Sequence, residues 1–310
     1  MMKIVVVGFG WVGQANALSL ALMGEEAAFF DLGEPQFHYA ARYGDVYERI
    51  PHLSNVREWD SAETCYVVCV GDKVSPSGEQ DISAIRRALD ALSGVEGTIV
   101  LRSTIIPNYL QELSFDFYVP EFLHEKKAVE ESLAPHFFVV GSRNSKAEPA
   151  FFATLERKAY KTFRGTPEEA SNIKYLSNLW NALRIAFVNE FGGSIRTPVT
   201  PADVASIERI IDFVFDGKFY MRYGRAFGGH CLPKDTRAFM RMHAEQGNPL
   251  PLLEGVYKAN EKHEKLQGEH LLPEWFSAWE KPVISGRVAL GALTKATLKH
   301  FRKTFKGSKK

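Results

Sequence analysis

Residues 3–31 read KIVVVGFGWVGQANALSLALMGEEAAFFD, and this stretch decides the fold. The run from Lys3 to Val7 is β-branched and predicts a buried strand. In QANALSLALM the apolar residues recur at helical spacing until Gly24, and AAFFD predicts a second buried strand that ends at Asp31. Strand, glycine turn, helix and strand within about 30 residues indicate a βαβ unit.

A G-x-G-x-x-G motif lies between the first strand and the helix, and it consists of Gly8, Phe9, Gly10, Trp11, Val12 and Gly13. In such a loop the first glycine makes the turn, the second admits a pyrophosphate close to the backbone, and the third lets helix and strand pack closely. Asp31 follows 18 residues after Gly13, where a carboxylate can accept hydrogen bonds from ribose hydroxyls. Leu32 comes next and no Arg is adjacent, so the sequence favours NAD over NADP as cofactor.

The rest of the chain shows two kinds of sequence pattern, one of alternating strands and helices and one of helices alone. Further buried strands are predicted at 65–70, 97–104 and 136–141, with a helix at 81–92. This alternation predicts an α/β fold, a Rossmann-type and mostly parallel sheet covered by helices, over residues 1–165. From Thr166 the pattern becomes helical, and Thr166 and Glu169 form a capping box with Pro167 at the first helical position. We therefore predict a mainly helical second domain over 166–275 and a short basic tail over 276–310.

Length and composition exclude several classes of protein. The 310 residues suffice for two medium domains, and 45% hydrophobic with 24% charged residues is typical of a folded globular protein. The net charge of +1 hides a basic tail, because 281–310 contains nine Lys or Arg and no Asp or Glu, which leaves 29 basic and 37 acidic residues in 1–280. With no signal-peptide pattern and no apolar run of about 18 residues, the sequence predicts a cytoplasmic protein without membrane contact.

The three cysteines fall into two groups. Their odd number argues against a disulfide framework, no two have the spacing of a zinc-binding pair, and we expect no metal site. Cys65 and Cys69 lie in a predicted buried strand, where we expect inert side chains. Cys231 lies in FGGHCLPKD, where paired glycines permit close backbone approach and where His230 and Lys234 are expected to favour the thiolate. Cys231 is therefore a candidate nucleophile.

Four further segments extend the pattern, and they read RSTIIPNYL (102–110), PEFLHEKKAVEESLAPHFFVVG (120–141), EEASNIKYLSNLWNALRIAFVNE (168–190) and FGGHCLPKDT (227–236). In order and spacing they resemble the UDP-glucose/GDP-mannose dehydrogenase family, over residues 1 to about 265. The resemblance implies an NAD-dependent homodimer that oxidises the primary alcohol of a nucleotide sugar to the carboxylate, as in UDP-glucose to UDP-glucuronate. It also implies a thiohemiacetal and a thioester on Cys231, with two NAD reduced per turnover.

The same resemblance implies roles for individual residues. Lys174 and Asn178, four apart on one helix face, match residues that stabilise an oxyanion. Asp235 and Glu121 match carboxylates that transfer protons or activate water, and Thr104 matches a threonine that holds the water. Besides the glycine loop and Asp31, the cofactor side is expected to include Ser103, Thr104, Glu125 and Lys234. The substrate side is expected to include Phe122, Leu123, Lys174, Asn178, Arg222, Phe227 and Gly228.

The sequence departs from the family pattern in three places. The family's Val-x-Thr-Pro segment reads VGDKV at 70–74, which alters the loop beside the nicotinamide ribose. The arginine that the family donates across the subunit interface is replaced by Phe215, although Arg222 or Arg225 can neutralise a phosphate instead. Only about 35 residues follow the last predicted helix, so the sequence predicts no C-terminal UDP-binding domain. We expect the tail to be a frayed end, the alternative being a basic helix that grips phosphate.

Two alternatives stay open. A single-step β-hydroxyacid dehydrogenase has similar length and the same Lys-x-x-x-Asn pattern, but it needs no nucleophilic cysteine. A non-catalytic NAD-binding subunit has no need of Cys231, Lys174, Asn178, Asp235 and Glu121 together. The sequence favours the enzyme that makes the acid, and we expect no nucleic-acid binding because the tail is the one basic segment.

Overall fold

The opening stretch forms the predicted βαβ unit. β1 spans Lys3–Val7, α1 spans Trp11–Leu22 and β2 spans Glu26–Phe30, and the two strands pair in parallel. Gly8 turns the chain with a φ of +88°, and Gly10 is the N-cap of α1. This computed structural model describes residues 2–144, 146–218, 220–229 and 231–266.

One seven-stranded sheet organises the first half of the chain. Its order is β2-β1-β3-β6-β7-β8-β9, parallel throughout except for the antiparallel pair β7 and β8, while β4 and β5 form a separate hairpin. The remaining strands are β3 (Thr64–Val68), β4 (Lys73–Val74), β5 (Gln80–Asp81), β6 (Thr98–Leu101), β7 (Phe117–Tyr118), β8 (Phe137–Ser142) and β9 (Lys161–Gly165). The helices after α1 are α2 (Ala40–Tyr47), α3 (Ser83–Ala91), α4 (Pro107–Leu110), α5 (Ala128–Leu133), α6 (Ala150–Lys158), α7 (Pro167–Ile195), α8 (Pro201–Phe215), α9 (Leu232–Glu245) and α10 (Pro251–Leu266).

The strand order reverses beside β1, which has β2 on one side and β3 on the other. In open α/β sheets, ligands bind in the crevice outside the carboxyl ends of the strands at such a point. The segments that follow β1, β3 and β6 therefore bring Gly8, Asp72 and Thr104 to one edge of the sheet. This edge is where the structure is expected to hold a ligand.

Apolar side chains cover both faces of the sheet. Ile4 and Val6 point to one face, where Leu18 of α1 packs, and Val5 points to the other, where Ile85 of α3 packs. Parallel sheets covered on both faces require such continuous apolar strands. Cys65 and Cys69 are buried in and just after β3, as predicted.

The long helix α7 begins with the predicted capping box. The Thr166 N–H donates to Glu169 Oε2 at 2.7 Å and the Glu169 N–H donates to Thr166 Oγ1 at 3.2 Å, which satisfies two donors at the helix start. The helix runs 29 residues to Ile195, and α8, α9 and α10 pack along it. Near its start, Ala170 packs into the core of the sheet. Because α7 joins both parts, the division into domains 1–165 and 166–275 stays a prediction.

Some elements differ from the expectation. α9 begins at Leu232, inside the FGGHCLPKD segment, so Lys234 and Asp235 lie in its first turn. The hairpin of β4 and β5 and the two-residue strand β7 were not predicted, since two residues are too short to show an alternating pattern. The predicted basic tail at 276–310 lies outside the described residues. Within the described part of the chain, no helix is both long and apolar enough to cross a membrane.

The glycine loop gives a test of the packing. A Cβ placed on Gly13 would lie 1.9 Å from the Gly8 carbonyl oxygen, whereas at Gly10 no described heavy atom lies within 4 Å of that position. We expect Gly13→Ala to lower the free energy of unfolding by about 2–3 kcal/mol, because helix and strand must separate. Gly10→Ala is the matched control and is expected to lower it by about 1 kcal/mol or less, because Ala fits the open space but is a poorer N-cap than Gly. Urea unfolding of both variants measures the difference, and equal stability would contradict the packing.

Candidate active site

Lys174 and Asn178 lie one turn apart on α7, and both side chains are buried at the carboxyl edge of the sheet. A buried ammonium and a buried amide require partners. An unpaired neutral group in the interior costs about 1–3 kcal/mol, and an unpaired charge costs more. Each has a carboxylate partner from a different segment of the chain. Glu121 follows β7, and Asp235 lies in the first turn of α9.

Lys174 pairs with Glu121. Its Nζ donates to Glu121 Oε1 at 3.3 Å and lies 5.3 Å from the centre of the Phe122 ring. Glu121 Oε2 accepts the Leu123 N–H at 2.7 Å. Burial opposes ionisation of Glu121, but Lys174, the Leu123 N–H and Arg102 outweigh it, so the pKa of Glu121 lies below its ordinary value. Glu121 is therefore an ionised carboxylate at neutral pH.

Asp235 is held from two sides. Asn178 Nδ2 donates to Asp235 Oδ2 at 2.6 Å, and Lys234 Nζ donates to Asp235 Oδ1 at 2.6 Å. Asp235 is 1% exposed, and this burial raises its pKa above the ordinary value although Lys234 and Lys174 act in the opposite direction. A carboxyl group with a raised pKa is suited to exchange protons near neutral pH.

Lys234 also binds Asp72, which lies in the altered loop after β3. Its Nζ lies 2.9 Å from Asp72 Oδ1 and 3.2 Å from Oδ2. Burial disfavours the ammonium, but the two carboxylates outweigh it and raise the pKa of Lys234. The sequence pointed to this loop as a departure but did not predict its ion pair.

Cys231 is the N-cap residue of α9 and is exposed. The protein around its sulfur nevertheless raises the pKa of the thiol to about 11, first by desolvation and then through Glu121 and Asp235, against the opposing effect of Lys174. Lys234 does lower the pKa of the thiol, as expected, but desolvation, Glu121 and Asp235 outweigh it. Two carboxylates, Asp72 and Asp235, share the charge of Lys234. His230 lies outside the described residues.

A buried glutamine supports the cluster from the sheet side. Gln80 Nε2 donates to Asp72 Oδ2 at 2.7 Å and to the Thr104 carbonyl at 3.0 Å, and its Oε1 accepts the Ile106 N–H at 2.9 Å. Ser103 Oγ donates to the Val70 carbonyl at 2.6 Å. The structure thus places Ser103 and Thr104 beside the loop of Asp72. No local pattern in the sequence predicts this role of Gln80.

The dinucleotide loop leaves room for a ligand at the N-terminus of α1. No described atom fills the space over Gly10, and Trp11 stacks on His38 beside it with ring centres 3.9 Å apart. The Asp31 carboxylate accepts the N–H groups of Phe9 and Gly33, which fixes it at the end of β2. These residues fit the pyrophosphate and ribose of a dinucleotide.

Other predicted residues lie farther from the cluster. Glu125 has an exposed side chain, and its carbonyl accepts the Tyr39 hydroxyl at 3.4 Å. Arg222 Nε donates to the Gly217 carbonyl at 2.8 Å, and Gly228 is exposed. Phe227 is buried against α7 and α10, and Asn260 bonds both its N–H and its carbonyl. The structure therefore does not bring Arg222 or the Phe227 ring into contact with the Lys174–Glu121 pair.

A contact between two loops was not predicted. His124 Nδ1 lies 2.8 Å from Glu131 Oε1, and His124 Nε2 lies 3.0 Å from the Tyr220 hydroxyl. Tyr220 has a φ of +64°, an uncommon conformation for a tyrosine. The segment after β7, which carries Glu121, is thereby tied to the loop between α8 and α9, which carries Cys231.

A parallel sheet with a glycine loop at its switch point, joined to helices that carry a thiol and buried ion pairs, defines a Rossmann-type oxidoreductase. Residues 168–262 match the sequence model of the UDP-glucose/GDP-mannose dehydrogenase family, central domain. The match covers about a third of the chain and is a similarity to the central domain of that family.

The relatives match most of the chain at low identity. The chain is 27% identical to the GDP-mannose 6-dehydrogenase of Pseudomonas putida, over 84% of this chain and 68% of that protein. It is 28% identical to the UDP-glucose 6-dehydrogenase of Rickettsia bellii, over 86% and 68%. The structure of a UDP-glucose dehydrogenase from the archaeon Pyrobaculum islandicum has a TM-score of 0.69 at 24% identity, over 84% and 68%. The chain thus spans about two thirds of their length.

The raised pKa of Cys231 predicts how its thiol reacts. We expect the rate of carboxamidomethylation of Cys231 by iodoacetamide to rise about tenfold per pH unit from pH 7 to pH 10, because the thiolate is the nucleophile. Cys65 and Cys69 are expected to stay unlabelled, since burial raises the pKa of both. Peptide mass spectrometry measures the three sites, and guanidinium-unfolded protein is the control. A plateau of the Cys231 rate below pH 8 would contradict the prediction.

Proposed function

We propose that this protein oxidises the primary alcohol of a nucleotide sugar to the carboxylate, with NAD as the oxidant and Cys231 as the nucleophile. One observation carries the proposal. Cys231 begins the same helix turn that presents Asp235, and Asp235 bonds Asn178, one turn from the Lys174–Glu121 pair. A thiol, two donors and two carboxylates from separate segments thus share one site, and the relatives that the chain resembles include nucleotide-sugar dehydrogenases.

The glycine loop and Asp31 supply the cofactor site in this proposal. The N-terminus of α1 and the space over Gly10 receive the pyrophosphate, and Asp31 receives the ribose. When bound, NAD accepts a hydride from the substrate carbon. Ser103, Thr104, Glu125 and Lys234 are proposed to complete the cofactor side.

The donors on α7 stabilise negative charge on the reacting oxygen. The Lys174 ammonium and the Asn178 amide are both held in place by carboxylates, so they are oriented before substrate arrives. Preorganised donors in a buried site stabilise a developing oxyanion strongly, at about 3–4 kcal/mol per donor. In the first oxidation they therefore favour loss of the alcohol proton. In the second they favour attack of the Cys231 sulfur on the aldehyde carbonyl.

Cys231 then divides the second oxidation into two steps. Its sulfur bonds to the aldehyde carbon to form a thiohemiacetal, and the thiol proton passes to a buried carboxylate, because the raised pKa keeps the resting thiol protonated. Asp235, whose pKa is raised, is the proposed acceptor. Oxidation of the thiohemiacetal gives a thioester on Cys231. Water held by Thr104 and activated by Glu121 or Asp235 cleaves the thioester, which releases the acid and regenerates the thiol.

The remaining predicted residues are proposed to bind the sugar nucleotide. Phe122 and Leu123 flank the Glu121–Lys174 pair, and Gly228 leaves open space three residues before Cys231. Arg222 is exposed and can reach an anionic group from the loop between α8 and α9. A free thiol at Cys231 requires a reducing compartment, so we propose that the protein acts in the cytoplasm.

Product stoichiometry tests the proposal. We expect two NADH per molecule of carboxylate when NAD is mixed separately with UDP-glucose, GDP-mannose and UDP-N-acetylhexosamines and one of them is the substrate. Cys231→Ala is expected to reduce acid formation at least about 10³-fold, because the thioester route is lost. Cys69→Ala, which removes a buried cysteine, is the matched control. Absorbance at 340 nm and mass spectrometry of the product measure both quantities.

Each alternative has its own result in this experiment. One NADH with a carbonyl product indicates the single-step β-hydroxyacid dehydrogenase type. No NADH with any substrate, together with a melting temperature that NAD raises, indicates a binding subunit without catalysis.

We propose further that the protein is a homodimer through one face of α7. This face, called the α7 stripe, carries large apolar side chains that are exposed in the single chain, namely Leu176, Trp180, Phe187, Phe191 and Ile195. Successive members are four or seven residues apart, which places all five on one face of the helix. A second copy that packs the same stripe against it would bury all five from both sides, as a two-fold interface requires.

Charged substitutions in the α7 stripe test the dimer. Leu176→Glu and Phe187→Glu are expected to convert a species of twice the chain mass to the single-chain mass, because each would bury a carboxylate. Leu252→Glu is the matched control, since Leu252 on α10 is 67% exposed and Leu176 is 68% exposed. Light scattering after gel filtration measures the mass. A wild-type protein of single-chain mass at 50 µM would overturn this part of the proposal.

A further inference from the structure

Asp72 stands where the family pattern has the Thr of Val-x-Thr-Pro, and its side chain is 6% exposed. Oδ1 lies 2.9 Å from Lys234 Nζ, and Oδ2 accepts Gln80 Nε2 at 2.7 Å. An ionised side chain this deeply buried requires both a countercharge and hydrogen bonds. Asp72 has both, so its carboxylate is held in one place at the edge of the sheet.

Gln80 anchors Asp72 to the sheet side of the site. Its amide also bonds the Thr104 carbonyl and the Ile106 N–H, and these belong to the segment that follows β6. Gln80 is 4% exposed. The orientation of Asp72 is thus determined by backbone groups that belong to the rigid part of the fold.

Lys234 carries the connection to the helices. Its ammonium lies between Asp72 and Asp235, and the other oxygen of Asp235 accepts Asn178 Nδ2. Gln80, Asp72, Lys234, Asp235 and Asn178 therefore form one continuous hydrogen-bonded chain. It runs from β5, across the loop after β3, to α9 and α7.

We infer that Asp72 is a positioning residue, which holds the Lys234 ammonium between two carboxylates and so weakens its effect on the Cys231 thiol. The inference rests on the proposed function in taking Cys231 as the nucleophile. The ion pairs support it, because Asp72 and Asp235 share the single ammonium of Lys234, while Glu121 has Lys174 as its own partner.

The groups that face Cys231 come from every element around it. Glu121 follows β7, Lys174 lies on α7, Lys234 and Asp235 lie on α9, and the Tyr220 phenol comes from the loop before α9. Lys234 is the one of these whose charge Asp72 directly balances. Removal of the Asp72 charge leaves the Lys234 ammonium balanced by Asp235 alone, and the field at the sulfur becomes more positive.

The pH dependence of Cys231 alkylation tests this role without substrate or cofactor. We expect Asp72→Asn to increase the rate of alkylation by iodoacetamide about 3–10-fold at pH 8 and to move the whole profile to lower pH, because a net positive change favours the thiolate. Glu79→Gln is the matched control, since it removes an exposed carboxylate from the same hairpin and is expected to change the rate by less than about 1.5-fold.

Two further variants separate positioning from a general loss of structure. Asp72→Glu retains the charge and is expected to keep a wild-type profile. In a Lys234→Met background, Asp72→Asn is expected to have no further effect, because the role acts through Lys234. Circular dichroism confirms folding of each variant. An unchanged profile in Asp72→Asn, or an equal shift in the Lys234→Met background, would overturn the inference.

Failure of the proposed function gives a different result. If no nucleotide sugar yields NADH with the wild-type protein, the dehydrogenase proposal fails, while the alkylation profiles still decide the role of Asp72. If the wild-type protein is active, Asp72→Asn is expected to alter kcat and its pH profile and to leave KM for the nucleotide sugar within about twofold, because the change affects thiol chemistry and not binding.

Discussion

Buried carboxylates are stable only when buried cations and donors accompany them, and this constraint shapes the carboxyl edge of the sheet. Glu121, Asp235 and Asp72 reach that edge from three segments, and each is matched by a lysine. Removal of one partner from such a pair costs about 3–5 kcal/mol, so the pairs fix the relative positions of the segments. The first turn of α9 is placed where it is because Lys234 and Asp235 must both be paired.

The same ion pairs determine what the cysteine can do. A thiol beside a lysine is ordinarily expected to ionise easily. Here the lysine charges are already balanced, and the thiol stays protonated at neutral pH. Reactivity of Cys231 therefore depends on when a proton acceptor becomes available, and Asp235 lies four residues away in the same helix turn. Cys231 thus supplies the nucleophilic sulfur, while a separate proton acceptor determines when that sulfur is ionised.

Much of the fold follows from local signals in the sequence. The β-branched run, the glycine motif and the Thr166 capping box each predict a structure through contacts a few residues apart, and each is confirmed. The order of family segments also identified the residues that meet at the sheet edge, although their chemical roles stay predictions. Local patterns cannot predict pairs such as Asp72 with Lys234, which are 162 residues apart. The missing Thr-Pro marked the loop as unusual, but its partner became visible only in three dimensions.

The length of α7 has a mechanical consequence. At about 1.5 Å per residue, its 29 residues form a rod of about 44 Å. Lys174 and Asn178 lie in the first half of this rod, and the α7 stripe runs along it to the far end. Proline occurs in this helix only at its first position, Pro167, so no proline interrupts its backbone hydrogen bonds beyond the donors. The two donors and the α7 stripe therefore belong to one continuous helix, and while that helix stays intact neither can be displaced without the other.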